Sequence, residues 1–114
     1  MLTIEKLNEY GANTKEGLAR CMGNEALYLR LVTSLTAQPD FDRMREQIAD
    51  HDLASAFESA HALKGVLANL SITPLYEKVC EITELLRSRE ETDYQPLLEE
   101  IDTLRKTLKE LVEN

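Results

Sequence analysis

Two histidines and two cysteines are the side chains of this 114-residue chain best suited to nucleophilic or metal chemistry. His61 is the most informative of the four. On a helix it shares a face with the residues three, four and seven away: Ala54, Phe57, Glu58, Lys64, Gly65 and Ala68. Three of the six are Gly or Ala, where an exposed face normally carries long polar side chains that favour helix. Mid-helix Gly costs about 1 kcal/mol relative to Ala, so Gly65 needs a reason. Its missing side chain clears the flank of the imidazole for another protein's backbone, and Lys64 adds a cation one turn along. That combination suits transient phosphorylation. A neutral imidazole, with a reference pKa of about 6.5, has a lone pair for in-line attack on phosphorus. Lys64 would support the negatively charged product as a point charge. Phosphoryl transfer demands mostly positioning and charge neutralisation, so a domain without a metal site can be the nucleophile while its partner supplies Mg²⁺.

The elements that must position His61 read as helices separated by short polar breaks. A short segment from Leu2 to Glu9 stops at Tyr10-Gly11. Asn13 with Glu16 three residues later is a capping box for a helix running to about Met22, and Gly23-Asn24 breaks it. The next helix spans Glu25 to Ala37 with Leu27, Leu31 and Leu35 on one face, widened by Tyr28 and Val32. Asp40 is expected to cap a helix from Phe41 to Ala49. Asp52 is expected to cap the central helix, Leu53 to Leu70, whose apolar stripe is Leu53, Ala56, Ala60, Leu63, Leu67 and Leu70. At about 100° per residue, His61 lies about 130° from the centre of that stripe and points outward. Thr73 is expected as N-cap with Pro74 at the first helical position, opening a helix to Arg89 with core positions Leu75, Val79, Ile82 and Leu86. Thr92 or Asp93 should cap the last helix, whose stripe is Leu97, Ile101, Leu104, Leu108 and Leu111. The expected fold is all-α: one domain over residues 1–114, an antiparallel up-down four-helix bundle capped by one or two short N-terminal helices.

Composition narrows the partners. Apolar residues make up 43% of the chain, aromatics only 5%, and four Gly and three Pro are too few for an all-β fold. A formal net charge of −8 argues against nucleic acid and against an anionic membrane surface. No window reaches the roughly 18–20 apolar residues of a spanning helix, and the N-terminus has no secretory pattern. The expectation is a cytoplasmic, monomeric, stand-alone protein in which Cys21 and Cys80 are reduced, core-facing thiols. Metal chemistry is poorly supported. Glu58 and His61 form one Glu-x-x-His unit, but a di-iron bundle needs two, and His51 has Ile48 three residues before it. The cysteines and histidines show no zinc spacing, and no glycine run could cradle a nucleotide.

The run Ala60-His61-Ala62-Leu63-Lys64-Gly65-Val66-Leu67-Ala68-Asn69-Leu70 resembles the histidine-containing phosphotransfer (HPt) domain, whose signature is His-x-Leu-Lys-Gly with a Leu-Gly soon after. Upstream, Gly17-Leu18-Ala19-Arg20, Gly23-Asn24 and Leu27-Tyr28 look like the family's opening helices, and Leu75 falls where its next helix would begin. The resemblance implies a four-helix bundle that shuttles a phosphoryl group between receiver-domain aspartates. It implies His61 as phosphoacceptor, Lys64 as its charge support and Gly65 as the clearing for receiver docking. Ala54, Phe57 and Ala68 would complete the docking surface, extended by the exposed side of the Thr73–Arg89 helix. The implied partners are receiver domains and a hybrid histidine kinase, with no cofactor of its own and Mg²⁺ on the receiver. Two positions depart from the pattern. Ser71 stands where the family has Gly, and Thr83 stands where several members have a Gln that orients the imidazole. Thr83 is thus the expected orienting residue. The alternative is a helical adaptor that binds a receiver or kinase without being phosphorylated.

Overall fold

The computed structural model describes all 114 residues. Seven helices and no strand form: α1 Ile4–Tyr10, α2 Thr14–Arg20, α3 Glu25–Leu35, α4 Asp40–Ala49, α5 Leu53–Leu70, α6 Thr73–Arg87 and α7 Gln95–Glu113. Their starts are set by short polar side chains. Thr3, Asn13, Asn24 and Asp52 each accept a backbone N–H three residues on, from Lys6, Glu16, Leu27 and Ser55. Such caps contribute about 1 kcal/mol each. The hydrogen bonds from Ser55 hold the Asp52 carboxyl below its ordinary range.

Three caps differ from expectation. Asp40 is the first residue of α4, bonded to Gln38 Nε2 at 2.9 Å, and Pro39 occupies the cap position without a side-chain bond. Thr73 is likewise inside α6, with Ile72 at the cap, because Ile72 is fully buried and fixes where the chain turns. Asp93 accepts the Gln95 N–H at 3.0 Å, but Tyr94 lies between it and the helix.

Helices α4 to α7 close into a ring. Two-residue and three-residue breaks make α4, α5 and α6 successive antiparallel neighbours, which pack most extensively on one another. Helix α7 returns between α6 and α4, where Arg45 pairs with Asp102 and Arg105 bridges Asp42 and the Thr36 carbonyl. The wall beside α5 comes in two pieces. Helix α4 lines its first half, with Gln47 and buried Ser59 hydrogen-bonded at 2.7 Å. Helix α3 lines its second half, where Leu35 is buried. Leu31, expected on the core face, is instead exposed beside a cavity shared with Val66 and Leu70, because the buried face of α3 is Tyr28, Val32 and Leu35. Pro39, following the turn after α3, separates the two pieces, since Pro has no N–H to continue a helix.

All six stripe positions of α5 and all four of α6 are buried, and 24 buried apolar residues form one cluster. On α7 the face is rotated slightly from the expected stripe: Leu98, Ile101 and Leu108 are buried, while Leu97, Leu104 and Leu111 flank them. The two seven-residue helices cap one end. Tyr10 of α1 donates to the Leu104 carbonyl of α7 at 2.8 Å, and α2 packs on the end of α5. Both cysteines are free, Cys21 buried and Cys80 half-buried.

Candidate functional site

Helix α5 buries one face and leaves the other without a neighbour. Ala54, Glu58, His61, Ala62 and Gly65 are exposed, with Phe57, Lys64 and Ala68 half-buried along the edges. A Cβ built on Gly65 meets no heavy atom within 4 Å. No helix crosses there, so tight packing within the chain does not account for the glycine. An exposed imidazole, an open flank and a cation one turn on thus occupy one surface.

The imidazole makes no hydrogen bond. Its partner is Phe57, one turn earlier, whose ring stacks on it with centroids 5.7 Å apart and planes 25° apart. Two arginines from the end of α6 sit over Phe57, with guanidinium carbons 4.9 Å (Arg87) and 5.5 Å (Arg89) from the ring centre. Both are tethered. Arg87 Nε donates to Glu84 Oε2 at 2.8 Å, and Arg89 Nη1 donates to the Leu86 carbonyl at 2.6 Å. The Arg87 bond holds the Glu84 carboxylate below its ordinary range, and the charge of Lys64 adds to the effect across the α5–α6 seam. Three cations therefore surround the face that carries His61.

Thr83 is not among the groups that touch the imidazole. It is fully buried, and its hydroxyl donates to the Val79 carbonyl at 2.5 Å. It lies four residues after Val79 and three before Leu86, on the inward face of α6. Its short side chain satisfies itself on its own helix rather than reaching α5. Sequence reasoning missed Arg87 and Arg89, and their only signal was a basic pair at the end of the neighbouring helix.

The far end of α5 shows what Ser71 does. It ends the helix in the left-handed conformation at φ 56°, where glycine is usual. Arg20 of α2 donates to its hydroxyl at 2.7 Å and to the Ala68 carbonyl at 2.8 Å, while Tyr28 donates to the Leu70 carbonyl at 2.8 Å. Those bonds satisfy carbonyls that a helix end leaves open. Burial, with a smaller contribution from Cys21, pushes the Tyr28 phenol up to about 12.

The other titratable groups lie elsewhere. His51 is an exposed loop residue with Nε2 3.2 Å from Glu91, beside a 250 Å³ cavity lined by Arg45, Ile48, Tyr94 and Leu98. No three His, Cys, Asp or Glu side chains gather as a metal ion would need. No helix is long and apolar enough to cross a membrane.

Comparison with known families gives one match, to the Hpt domain, over residues 31–114. The matched part begins within α3 and contains α4 to α7, His61 and its whole exposed face, while α1 and α2 lie outside it. No curated protein and no solved structure matches the chain. With most of its length matched, the chain belongs to the Hpt-domain family, the histidine phosphotransfer domains that work with receiver domains in phosphorelays.

Proposed function

We propose that His61 accepts a phosphoryl group from the aspartyl phosphate of a receiver domain and passes it to an aspartate of another receiver. The lone pair of one imidazole nitrogen forms the N–P bond as the P–O bond to the aspartate breaks, and the aspartate leaves as a carboxylate. The reverse exchange loads the second receiver. Mg²⁺ on the receiver neutralises the phosphoryl oxygens during transfer. Lys64 supports the charge that then resides on His61, and Gly65 lets the receiver's backbone reach the ring. Ala54, Phe57 and Ala68, with the exposed side of α6, form the docking face. A hybrid histidine kinase whose receiver feeds His61 is the expected source. A cytoplasmic monomer is the expected working form, and the monomer fits one apolar cluster of 24 buried residues shared among the helices.

One observation carries this reading: in a chain of this family, the exposed histidine has beside it a mid-helix glycine with nothing around it. The test is phosphotransfer from a Mg²⁺-loaded, phosphorylated receiver, run beside the His61→Gln variant, with the modified residue mapped by mass spectrometry. Phosphate on His61 that is stable in alkali, labile in acid and absent from the variant is the expected result. Binding of several receivers without any phosphate on His61 would leave the adaptor instead.

A further inference from the structure

We infer that Phe57 is the positioning residue of His61, and that Arg87 and Arg89 hold Phe57 in place from the end of α6. The inference rests on the phosphoacceptor reading above and deepens it. An exposed histidine on a helix is free to rotate about two torsions unless something fixes it. Here no hydrogen bond does so, and the α6 position expected to supply one holds Thr83, turned inward and bonded to Val79. The stack with Phe57 instead constrains the plane of the ring. At 5.7 Å and 25° it has the offset geometry that aromatic pairs favour.

Stacking suits a nucleophile. It covers a face of the imidazole and leaves the ring edge free, and the attacking lone pair lies in that edge. Fixing the plane therefore fixes the direction of attack without occupying either nitrogen.

Phe57 is itself fixed from outside α5. It is half-buried, and both guanidiniums over it are anchored, Arg87 to Glu84 and Arg89 to the Leu86 carbonyl. Arg89 adopts φ 53°, and the N–H groups of Arg89 and Glu90 close the end of α6 on the Leu86 and Leu85 carbonyls at 3.0 Å. A continuous path thus runs from the backbone at the end of α6, through guanidinium and phenyl, to the imidazole. Helix α5 carries the nucleophile, and α6 sets its orientation.

The experiment compares Phe57→Leu, which keeps an apolar side chain but removes the stack, with Phe57→Tyr, which keeps the ring. Single-turnover transfer from a phosphorylated receiver is measured over a range of receiver concentrations, with circular dichroism confirming the fold of each variant. The His61 ring protons are followed by NMR in the same samples. Phe57→Leu is expected to lower the maximal rate about tenfold, over and above any rise in half-saturation from its place in the docking face, and to abolish the ring-current shift of His61, while Phe57→Tyr restores both. The double variant Arg87→Gln/Arg89→Gln should fall between, with the ring-current shift reduced. A Phe57→Leu protein with the wild-type maximal rate overturns the inference. So does one in which half-saturation alone rises, because Phe57 would then be a docking contact only. If the wild-type chain takes no phosphoryl group while His61 shows the stacked shift, the phosphoacceptor reading falls and this inference falls with it. A fall of the inference alone leaves the wild-type transfer intact.

Discussion

Gly17 and Gly65 both sit inside helices, and their surroundings are opposites. A Cβ built on Gly17 would lie 2.5 Å from the ring of Tyr28, a fully buried side chain whose phenol caps the end of α5. A Cβ on Gly65 would meet nothing within 4 Å. The first glycine is explained within the chain, because it lets α2 approach α3 closely enough to seat Tyr28. The second destabilises its helix by about 1 kcal/mol without any compensating contact in the fold. A residue that the folded chain does not need points to what binds there. The contrast separates a structural end of α5, held by Gly17, Arg20, Tyr28 and Ser71, from the exposed stretch around His61 and Gly65 that no other helix covers.

Substitutions should pull the two ends apart. Gly17→Ala forces Tyr28 to move, and overpacking of this kind is expected to lower stability by about 1–3 kcal/mol, read as a fall in the denaturant midpoint. Equal stability would show that Tyr28 moves aside without loss. Gly65→Ala should act in the opposite direction, raising stability by about 1 kcal/mol because an exposed helical position prefers Ala. A destabilised Gly65→Ala would mean that the position has a structural role after all.

Alkali should also strike the structural end. Tyr28 must keep its proton to donate to Leu70, and its folded pKa of about 12 lies above the ordinary value of 10.0. A raised folded pKa gives stability that is complete below the unfolded pKa and is lost as pH rises through the folded one. Unfolding free energy is therefore expected to decline between pH 10 and 12, and Tyr28→Phe should flatten that decline. An unchanged slope in the variant would place the alkaline loss elsewhere, with Tyr10, which burial also pushes upward, as the next tyrosine to replace.

The smallest expected effect is at Lys64. Lys64→Ala should slow transfer or shorten phosphohistidine lifetime by about two- to fivefold, the range of a partly exposed charge, with the fold unchanged. A loss as large as that of His61→Gln would make Lys64 more than a charge support.

Much of this division was legible in the sequence because it depends on periodicity. The α5 stripe and its outward histidine follow from 3.6 residues per turn, and the buried set Leu53 to Leu70 matches that pattern. Thr83 shows where counting stops. Its distance along the chain from His61 fits an orienting residue, but register does not give rotation, and its neighbours Val79, Ile82 and Leu86 turn that face inward. The caps at Asp40 and Thr73 failed for a related reason. Buried Ile72 sets the start of α6 through tertiary packing, which overrides local preference, and at α4 the exposed Pro39 takes the cap position ahead of Asp40. Arg87 and Arg89 meet Phe57 across two helices, and no local spacing encodes that meeting. The same holds for Arg20, which caps α5 from 48 residues away in sequence.

The most direct measurement is single-turnover phosphotransfer from a phosphorylated receiver to the Gly65→Gln protein, beside wild type, with thermal stability recorded on the same samples. Gln favours helix over Gly, so the variant should melt at or above the wild-type temperature. With the open flank of His61 filled, transfer should be lost while the fold persists. Wild-type transfer by a folded Gly65→Gln protein would contradict the claim that this glycine is there for the approaching partner.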